Sequence, residues 1–296
     1  MRQVSKLTFV AACALAASQA FAQPQRDVDF DAVEVSVHSI SGNIYYLEGS
    51  GGNIGLSIGE DGIVMVDAQF APLTEKVVAA IRTMSDAPIR FLINTHVHDD
   101  HTGGNENFGA MGTTILARAN VRVRMMQGIR GSTPWPTIAL PVITFTDAVS
   151  LHLNGEDIHV IPVPPAHTDG DSYVYFTGSD VLHMGDVFRT NGYPGIDGEN
   201  GGTLQGTLDA LQIAIDLAGP NTKILSGHGV VSTREDVRAF RDMILEVMER
   251  VSRLVEEGKT LEEVIAANPT ADLDAQWGPR LDRFMPALYD GLSARP

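Results

Sequence analysis

The chain contains 296 residues with one cysteine, 21 Lys and Arg against 37 Asp and Glu, and a formal net charge of −16. The acidic balance argues against a nucleic-acid-binding protein, because such proteins use basic side chains to neutralise phosphates. A single cysteine excludes an intrachain disulfide and any zinc site built from several cysteines. Since 44% of the residues are hydrophobic and 20% are charged, we expect a folded globular protein.

Residues 1–22 have the pattern of a secretory signal peptide. Arg2 and Lys6 supply the positive charge that begins such a segment, and the apolar run 7–17 is too short to span a bilayer. Small residues on either side of a phenylalanine form a cleavage site that ends at Ala22. We therefore predict cleavage after Ala22 and a periplasmic or secreted protein.

The mature chain would then comprise residues 23–296, which we predict to form one domain. It would contain no cysteine, because Cys13 lies in the signal peptide. Cleavage as a lipoprotein before Cys13 is the alternative, but the apolar run continues past Cys13 and a better cleavage site follows it. No later segment has the roughly 18 consecutive apolar residues of a membrane-spanning helix, so we predict no stable membrane insertion.

The first half of the mature chain contains short apolar runs separated by glycine-containing turns, which predict an antiparallel meander. The predicted strands are 33–40, 43–48, 53–58 and 62–67. Apolar residues at helical spacing predict a helix over 72–84, and a short buried strand, 90–94, then runs into a loop. Residues 118–127 are predicted to be helical, and 128–141, rich in Gly and Pro, to be a surface loop.

The second half repeats this order of strands followed by helices. Its predicted strands are 149–153, 157–163, 172–177, 181–184 and 223–225. Its main predicted helices are 203–217, which is amphipathic, and 233–257, which is long and charged. Two such halves predict an α/β fold in which two sheets pack face to face with helices outside them, a four-layer αββα sandwich.

The strongest functional signal is the run from His96 to His101, directly after the strand 90–94. It places three imidazoles and two carboxylates within six residues. Imidazole nitrogen and carboxylate oxygen are both ligands of zinc, and burying such groups without a partner is costly. Because residues two apart in an extended loop point the same way, His96 and His98 can hold one metal ion. Asp100 and His101 then point towards a second position.

Three later segments each place a His or an Asp directly after a predicted strand, beside Gly or Pro. They contribute His167, Asp186 and His228. Together with the earlier run they provide five histidines and two aspartates. This number of ligands is enough for two metal ions about 3.5–4 Å apart, and the sequence therefore predicts a dinuclear centre.

The H-x-H-x-D-H run, followed in order by separate His, Asp and His residues, resembles the metallo-beta-lactamase superfamily. The resemblance covers the chain from the strand 62–67 to His228, and it implies the αββα fold and two zinc ions per chain. The ligands that it implies are His96, His98 and His167 for the first ion and Asp100, His101 and His228 for the second, with Asp186 bridging the ions or serving the second. It also implies that Asp67 supports the ligands through hydrogen bonds.

The chain departs from the best-known beta-lactamases of this superfamily at Asp186, where they use Cys. An Asp at this position resembles relatives that hydrolyse thioesters, lactones or phosphodiesters. Arg189 lies three residues later, where the Cys-type enzymes carry a Lys that holds the substrate carboxylate. Because Arg can bind a carboxylate through two parallel hydrogen bonds, we interpret Arg189 as a substrate anchor. Asn200, in the glycine-rich stretch that follows, is a second candidate for substrate binding.

These features predict an exported dinuclear zinc hydrolase that opens a cyclic amide, with beta-lactam hydrolysis as the leading hypothesis. A hydroxide shared by the two zinc ions would attack the carbonyl carbon, while Asp100 would orient the nucleophile and pass on a proton. The expected partner is a small-molecule substrate that carries a carboxylate, and not a nucleic acid. The alternatives are hydrolysis of another ester, lactone or thioester, and metal binding without catalysis.

Overall fold

The computed structural model describes residues 28–293. The predicted signal peptide, with Cys13 and the cleavage site at Ala22, lies outside the described residues, so export stays a prediction. Within the described part of the chain, no helix is both long and apolar enough to cross a membrane.

Two β-sheets form the centre of the structure, and in each of them the strands lie side by side in chain order. The first sheet contains β1 (Ser36–Ser41), β2 (Ile44–Glu48), β3 (Ile54–Gly59), β4 (Gly62–Val66), β5 (Ile89–Asn94), β6 (Thr114–Arg118) and β7 (Ile143–Phe145). The second contains β8 (Val149–Leu153), β9 (Glu156–Pro162), β10 (Ser172–Phe176), β11 (Val181–His183), β12 (Lys223–Leu225) and β13 (Val231–Ser232).

The helices cover the outer faces of the sheets and the ends of the strands. Within residues 28–293 the α-helices are α1 (Thr74–Arg82), α2 (Asp99–Thr102), α3 (Asn105–Ala110), α4 (Ala119–Gln127), α5 (Leu204–Leu217), α6 (Arg234–Glu256), α7 (Leu261–Ala266), α8 (Asp274–Trp277) and α9 (Phe284–Ser293). The longest of them, α6, begins with a capping box in which Thr233 and Asp236 each accept a hydrogen bond from the other's backbone N–H.

The order of layers follows from the side chains of β4, which is buried at every position. Ile63 and Met65 point outwards and share a core with Val77 of α1. Val64 and Val66 point inwards and pack against the second sheet. A strand buried on both faces is apolar throughout, as β4 is, because neither face contacts water.

The second sheet buries its outer face under α5, α6 and α9. Tyr173 and Leu182 belong to this core together with Leu211 of α5, Phe240 of α6 and Leu288 of α9. The layers are therefore helices, sheet, sheet and helices. This arrangement confirms the predicted four-layer αββα sandwich.

The predicted elements agree closely with the structure where an apolar run is bounded by turns, and β8 and β12 have the predicted bounds. The strand β6 was missed, together with α2, α3, β7 and β13. β6 is a short apolar segment directly before α4, and it is a strand because it pairs in parallel with both β5 and β7. Such long-range pairing cannot be read from a short apolar run, which is equally compatible with a buried helix.

Candidate metal centre

The seven predicted ligands lie in segments that follow strands and meet at one edge of the two sheets, with Asp100 and His101 in the short helix α2. Four of them follow β5, and His167 lies in the loop between β9 and β10. Asp186 follows β11 and His228 follows β12, and because these strands are parallel both side chains emerge at the same edge. The structure thus brings together His96, His98, Asp100, His101, His167, Asp186 and His228 in groups that could hold metal ions.

The first group consists of His96, His98 and His167, which are all buried. The Nδ1 atom of His96 lies 3.0 Å from Thr95 Oγ1, so its Nε2 atom points into the group. His167 donates from Nδ1 to the backbone oxygen of Gly195, which leaves its Nε2 atom without a proton.

His98 is held in the opposite orientation, with Nε2 2.7 Å from a carboxylate oxygen of Asp197. Arg130 Nη2 lies 2.7 Å from the same Nε2 atom and 2.6 Å from the Asp197 carboxylate. Because a carboxylate only accepts, Asp197 favours the tautomer with the proton on Nε2, in which the lone pair of Nδ1 faces His167 Nε2 at 2.9 Å. Two lone pairs at this distance repel each other unless a cation lies beside both. Zinc, which binds neutral imidazole nitrogen, fits this arrangement.

The second group contains Asp100, His101 and His228. His228 Nε2 lies 3.2 Å from Asp100 Oδ2, and His101 Nε2 lies 3.8 Å from the same oxygen. The side chains of Asp100 and His228 are 26% and 15% exposed, whereas that of His101 is fully buried. The second group therefore forms the side of the centre that faces solvent.

Asp186 lies between the two groups and contacts both. Its Oδ1 atom is 3.2 Å from His101 Nε2, and its Oδ2 atom is 3.2 Å from His228 Nε2 and 3.6 Å from His167 Nε2. The Cβ atom of any residue other than glycine at position 227 would collide with the Asp186 carboxylate. This close approach explains the glycine before His228, and it fixes the Asp186 carboxylate where it contacts histidines of both groups.

The pattern of unsatisfied atoms also fits a metal centre. Among the residues that the structure describes, His96 Nε2, His101 Nε2 and Asp186 Oδ1 are buried without a hydrogen-bond partner. Buried polar atoms are rarely left without one, because the loss of hydration is then uncompensated. All three atoms point into the ligand groups, so the donor set suits zinc ions.

Asp67 orients residues of both groups through hydrogen bonds, reaching His96 through Thr95 and contacting His101 directly. It is fully buried and accepts hydrogen bonds from the backbone N–H and the hydroxyl of Thr95, at 2.8 and 2.7 Å. His101 Nδ1 lies 2.7 Å from the same carboxylate, so its proton is on Nδ1 and its Nε2 is free for a metal. This is the position in which the sequence predicted a supporting role for Asp67.

Asp197 orients His98 as Asp67 orients His101. The sequence analysis did not predict this role for Asp197. Its carboxylate contacts His98 and also accepts from Arg130 at 2.6 Å. Asn200 is buried, and its amide donates to Asp197 at 2.8 Å. The structure thus places Asn200 behind Asp197 and not on a surface open to a substrate, which differs from the predicted substrate contact.

Arg189 lies beside the centre, as its position in the sequence suggested. It forms a parallel bridge with His228, and its guanidinium lies near Gly195, whose backbone holds His167. Its Nε atom donates to the Asn191 side chain at 3.1 Å. Within residues 28–293 the two terminal nitrogens of the guanidinium make no hydrogen bond, which leaves them available for an anion.

The imidazoles of the two groups have opposite pKa shifts. Burial, together with the neighbouring imidazoles, lowers the pKa of His96, and burial lowers the pKa of His167 to about 3. Burial alone would also lower the pKa of His228, but the charges of Asp186 and Asp100 raise it to about 9. The same two carboxylates raise the pKa of His101. Without metal, the histidines of the first group are therefore neutral at neutral pH, whereas His101 and His228 of the second group are protonated.

A comparison with protein-family models identifies the chain. The model described as the metallo-beta-lactamase superfamily matches residues 43–229, which include all seven ligands. The chain belongs to the metallo-beta-lactamase superfamily. The resemblance stated from the sequence is confirmed, and the superfamily's members are metal-dependent hydrolases.

Solved structures of other superfamily members share the fold. A metallo-beta-lactamase from Pontibacter korlensis is 17% identical with a TM-score of 0.60, and the match covers 71% of this chain and 99% of that protein. The DIM-1 metallo-beta-lactamase is 18% identical with a TM-score of 0.59, over 71% of this chain and 99% of its own.

A third solved structure covers more of this chain. The inverting sec-alkylsulfatase Pisa1 from Pseudomonas sp. is 17% identical with a TM-score of 0.68, and the match covers 86% of this chain. This chain spans only 50% of the length of that sulfatase. Identities this low show a common fold and do not by themselves transfer an activity.

The supporting residues that sequence analysis missed reach the centre from far along the chain. Asp197 contacts His98 across 99 residues, and Arg130 contacts Asp197 across 67 residues. Asp171 accepts from the backbone N–H groups of His167 and Thr168, and so fixes the loop that carries His167. Glycines beside an isolated Asp or Arg were the only local signal, and such residues more often lie in solvent-exposed turns.

The remaining histidines lie outside the centre's ligand groups. His38, His152 and His159 pair with neighbouring side chains on the strands. His183 is buried, and its ring bonds the backbone of Asn53 and Gly185. All four histidines lie on strands and belong to none of the ligand groups.

The opposite pKa shifts of the two groups predict a difference in proton release when zinc binds. His228→Ala keeps the three-histidine group, which is expected to bind zinc at neutral pH with little proton release, because its imidazoles are already neutral. His98→Ala keeps the second group, which is expected to release about two protons per zinc. Calorimetry in two buffers of different ionisation enthalpy measures the release.

The zinc affinity of the second group is also expected to depend on pH. Because the pKa of His228 is raised to about 9, protons compete with zinc below that pH and the affinity of His98→Ala rises as the pH increases towards it. An affinity of His98→Ala that is constant over this interval would contradict the assignment.

Asp197→Asn is expected to weaken zinc binding at the first group by about 10- to 100-fold, because His98 loses the anionic partner that orients it. Zinc affinity is measured by competition with a chelating dye. Asp169→Asn is the matched control, since Asp169 pairs with Arg124 at 2.8 Å and contacts no ligand. Equal zinc affinities of the two variants would show that Asp197 does not orient His98.

Proposed function

We propose that this protein is an exported zinc-dependent hydrolase that cleaves an acyl bond, with the amide bond of a beta-lactam as its leading substrate. The observation that carries the proposal is the pair of ligand groups joined by Asp186. The partly exposed Asp100 and His228 leave one side of the centre open to a substrate. This opening favours turnover over metal binding without catalysis.

Zinc ions bound by these residues would polarise a carbonyl oxygen and lower the pKa of water. The chain itself contributes proton transfer and orientation. Burial would raise the pKa of Asp100, but the charges of His101 and His228 hold it below its usual value. Asp100 is therefore ionised at neutral pH, and it can take a proton from the attacking water and return it to the leaving group.

Hydrolysis of another ester, lactone or thioester is the second candidate. It is favoured by Asp186, because the best-known beta-lactamases of the superfamily have Cys at this position. A structural neighbour named as a sec-alkylsulfatase supports the view that this fold also serves other hydrolyses.

The test uses purified, zinc-loaded protein and a chromogenic cephalosporin, with and without a chelator. Chelator-sensitive hydrolysis that His96→Ala abolishes is the expected result. Hydrolysis of lactones or thioesters but not of the cephalosporin would favour the second candidate. Absence of activity towards every substrate, in protein that retains zinc, would overturn the proposed hydrolase.

Export is part of the proposal and has its own test. The intact gene product is expected in the periplasmic or extracellular fraction, with a mass that corresponds to a chain starting at Gln23. A protein recovered with residues 1–22 attached, or as a lipidated chain starting at Cys13, would contradict the predicted cleavage.

A further inference from the structure

The turn between β2 and β3, residues 49–53, lies against the second ligand group. The backbone N–H of Gly52 donates to the backbone oxygen of Asp100 at 3.0 Å. Any residue larger than glycine at position 52 would place its Cβ atom against the ring of His101. Gln69, which is fully buried, donates from its side-chain amide to the backbone oxygen of Gly52 at 2.8 Å. The turn is therefore fixed against Asp100 and His101.

Asn53, the last residue of this turn, contacts the loop that carries His228 at three points. Its backbone N–H donates to the backbone oxygen of Gly227 at 2.7 Å. Its side-chain NH₂ group donates to the backbone oxygens of Ser226 at 3.0 Å and Gly229 at 2.9 Å. Because a carbonyl oxygen only accepts, the NH₂ end of the amide must face the loop. One buried amide thus holds the backbone on both sides of His228.

The turn therefore joins the two parts of the second group, which come from distant positions in the chain. Gly52 is bonded to Asp100, which follows β5, and Asn53 is bonded to the loop of His228, which follows β12. Because the distance between consecutive Cα atoms is fixed, these bonds restrain the spacing of the two segments. In the structure His228 Nε2 lies 3.2 Å from Asp100 Oδ2.

The first group is held by other residues. Its three histidines are oriented through hydrogen bonds with Thr95, Asp197 and Gly195. A change in the amide of Asn53 therefore acts on the spacing within the second group and leaves the contacts that orient the first group in place.

We infer that Asn53 is a positioning residue of the second metal site, and that the zinc affinity of this site depends on its side-chain amide. Asn53 acts on His228 through the backbone of its loop. Without the amide, the oxygens of Ser226 and Gly229 lose a buried donor and the loop can move away from Asp100. This inference rests on the proposed zinc hydrolase and concerns how its second metal site is formed, not which bond is cleaved.

The test measures zinc affinity, by competition with a chelating dye, in two variants that each keep one ligand group. In His98→Ala, which keeps the second group, the added change Asn53→Ala is expected to weaken zinc binding by at least about 10-fold. In His228→Ala, which keeps the first group, the same change is expected to leave zinc affinity unchanged. Asn43→Ala is the matched control, because the half-buried Asn43 donates to the backbone oxygen of Asn154 at 3.0 Å, at the opposite end of β2.

Hydrogen exchange of backbone amides in the metal-free protein makes the test independent of zinc. The N–H of Gly227 donates to the backbone oxygen of Gly185 at 2.7 Å, and that of Val230 donates to Thr190 Oγ1 at 2.9 Å. Because these bonds open when the loop moves, both amides are expected to exchange faster in Asn53→Ala than in the wild type. Asn43→Ala is expected to leave their exchange unchanged.

The two measurements separate this inference from the proposed function. Faster exchange in Asn53→Ala, in a protein whose second group binds no zinc, would support the positioning role and refute the two-zinc hydrolase. Where the second group does bind zinc, an affinity that Asn53→Ala leaves unchanged, or an equal loss at both groups, would overturn the inference. Exchange that is the same in Asn53→Ala and Asn43→Ala would overturn it whatever the zinc content.

A second variant covers the case in which Asn53→Ala does not fold, as judged by circular dichroism. Asn53→Ser keeps one hydroxyl donor and then takes its place, with the same expected and contradicting results.

Discussion

Asp186→Asn is expected to lower kcat/KM for any hydrolysed substrate by more than about 100-fold. Loss of a residue that only hydrogen-bonds to a metal ligand already costs about 10- to 100-fold, and Asp186 is itself a predicted ligand. The two oxygens of Asp186 face His101 on one side and His167 and His228 on the other. An asparagine keeps one oxygen and places an N–H₂ group where the second metal contact lies. Steady-state kinetics together with zinc content measures both consequences.

The matched control for this change is Asp99→Asn, which removes the same charge from an exposed position next to Asp100. Its zinc content is expected to equal that of the wild type. If Asp99→Asn and Asp186→Asn reduce zinc content and kcat/KM equally, the bridging position of Asp186 is wrong and only the local negative charge matters.

Asp67→Asn is expected to lower the free energy of unfolding by about 3–5 kcal/mol, because it disrupts a buried network that includes a charged group. The carboxylate accepts three hydrogen bonds, two from Thr95 and one from His101. The amide of an asparagine has one acceptor oxygen, and its N–H₂ group would face a donor. Urea unfolding in the presence of a chelator measures this loss separately from any loss of metal.

Asp61→Asn is the control at the other end of β4. Asp61 is exposed and accepts from the backbone N–H of Asn154 at 2.8 Å. Its substitution is expected to cost no more than about 1 kcal/mol. If the unfolding free energies of Asp67→Asn and Asp61→Asn differ by less than about 1 kcal/mol, the Asp67 network does not contribute the expected stability.

The ligands could be predicted from the sequence because each is a His or Asp in a short segment that follows a strand, although Asp100 and His101 belong to the helix α2 and not to an extended loop. The run His96–His101 is recognisable locally, and Asp186 and His228 each follow a glycine that the packing requires. The layered fold was predictable for the same reason, since the apolar strands and amphipathic helices alternate in two similar halves.

Apart from Asp67, the residues that orient the ligands could not be predicted, because their contacts form only when distant loops meet. Asp197 lies in a polar, glycine-rich loop that suggests exposure, yet its carboxylate is buried against His98. Asn200 was interpreted as a substrate contact from its proximity in sequence to Asp186, but its amide is engaged by Asp197.

The zinc content of the purified protein, measured by mass spectrometry of the metal, tests the central claim most directly. We expect about two zinc ions per chain, about one in His98→Ala and about one in His228→Ala. Wild-type protein that binds no more than one zinc ion under zinc excess, or that keeps two in both variants, would contradict a dinuclear centre built from these residues.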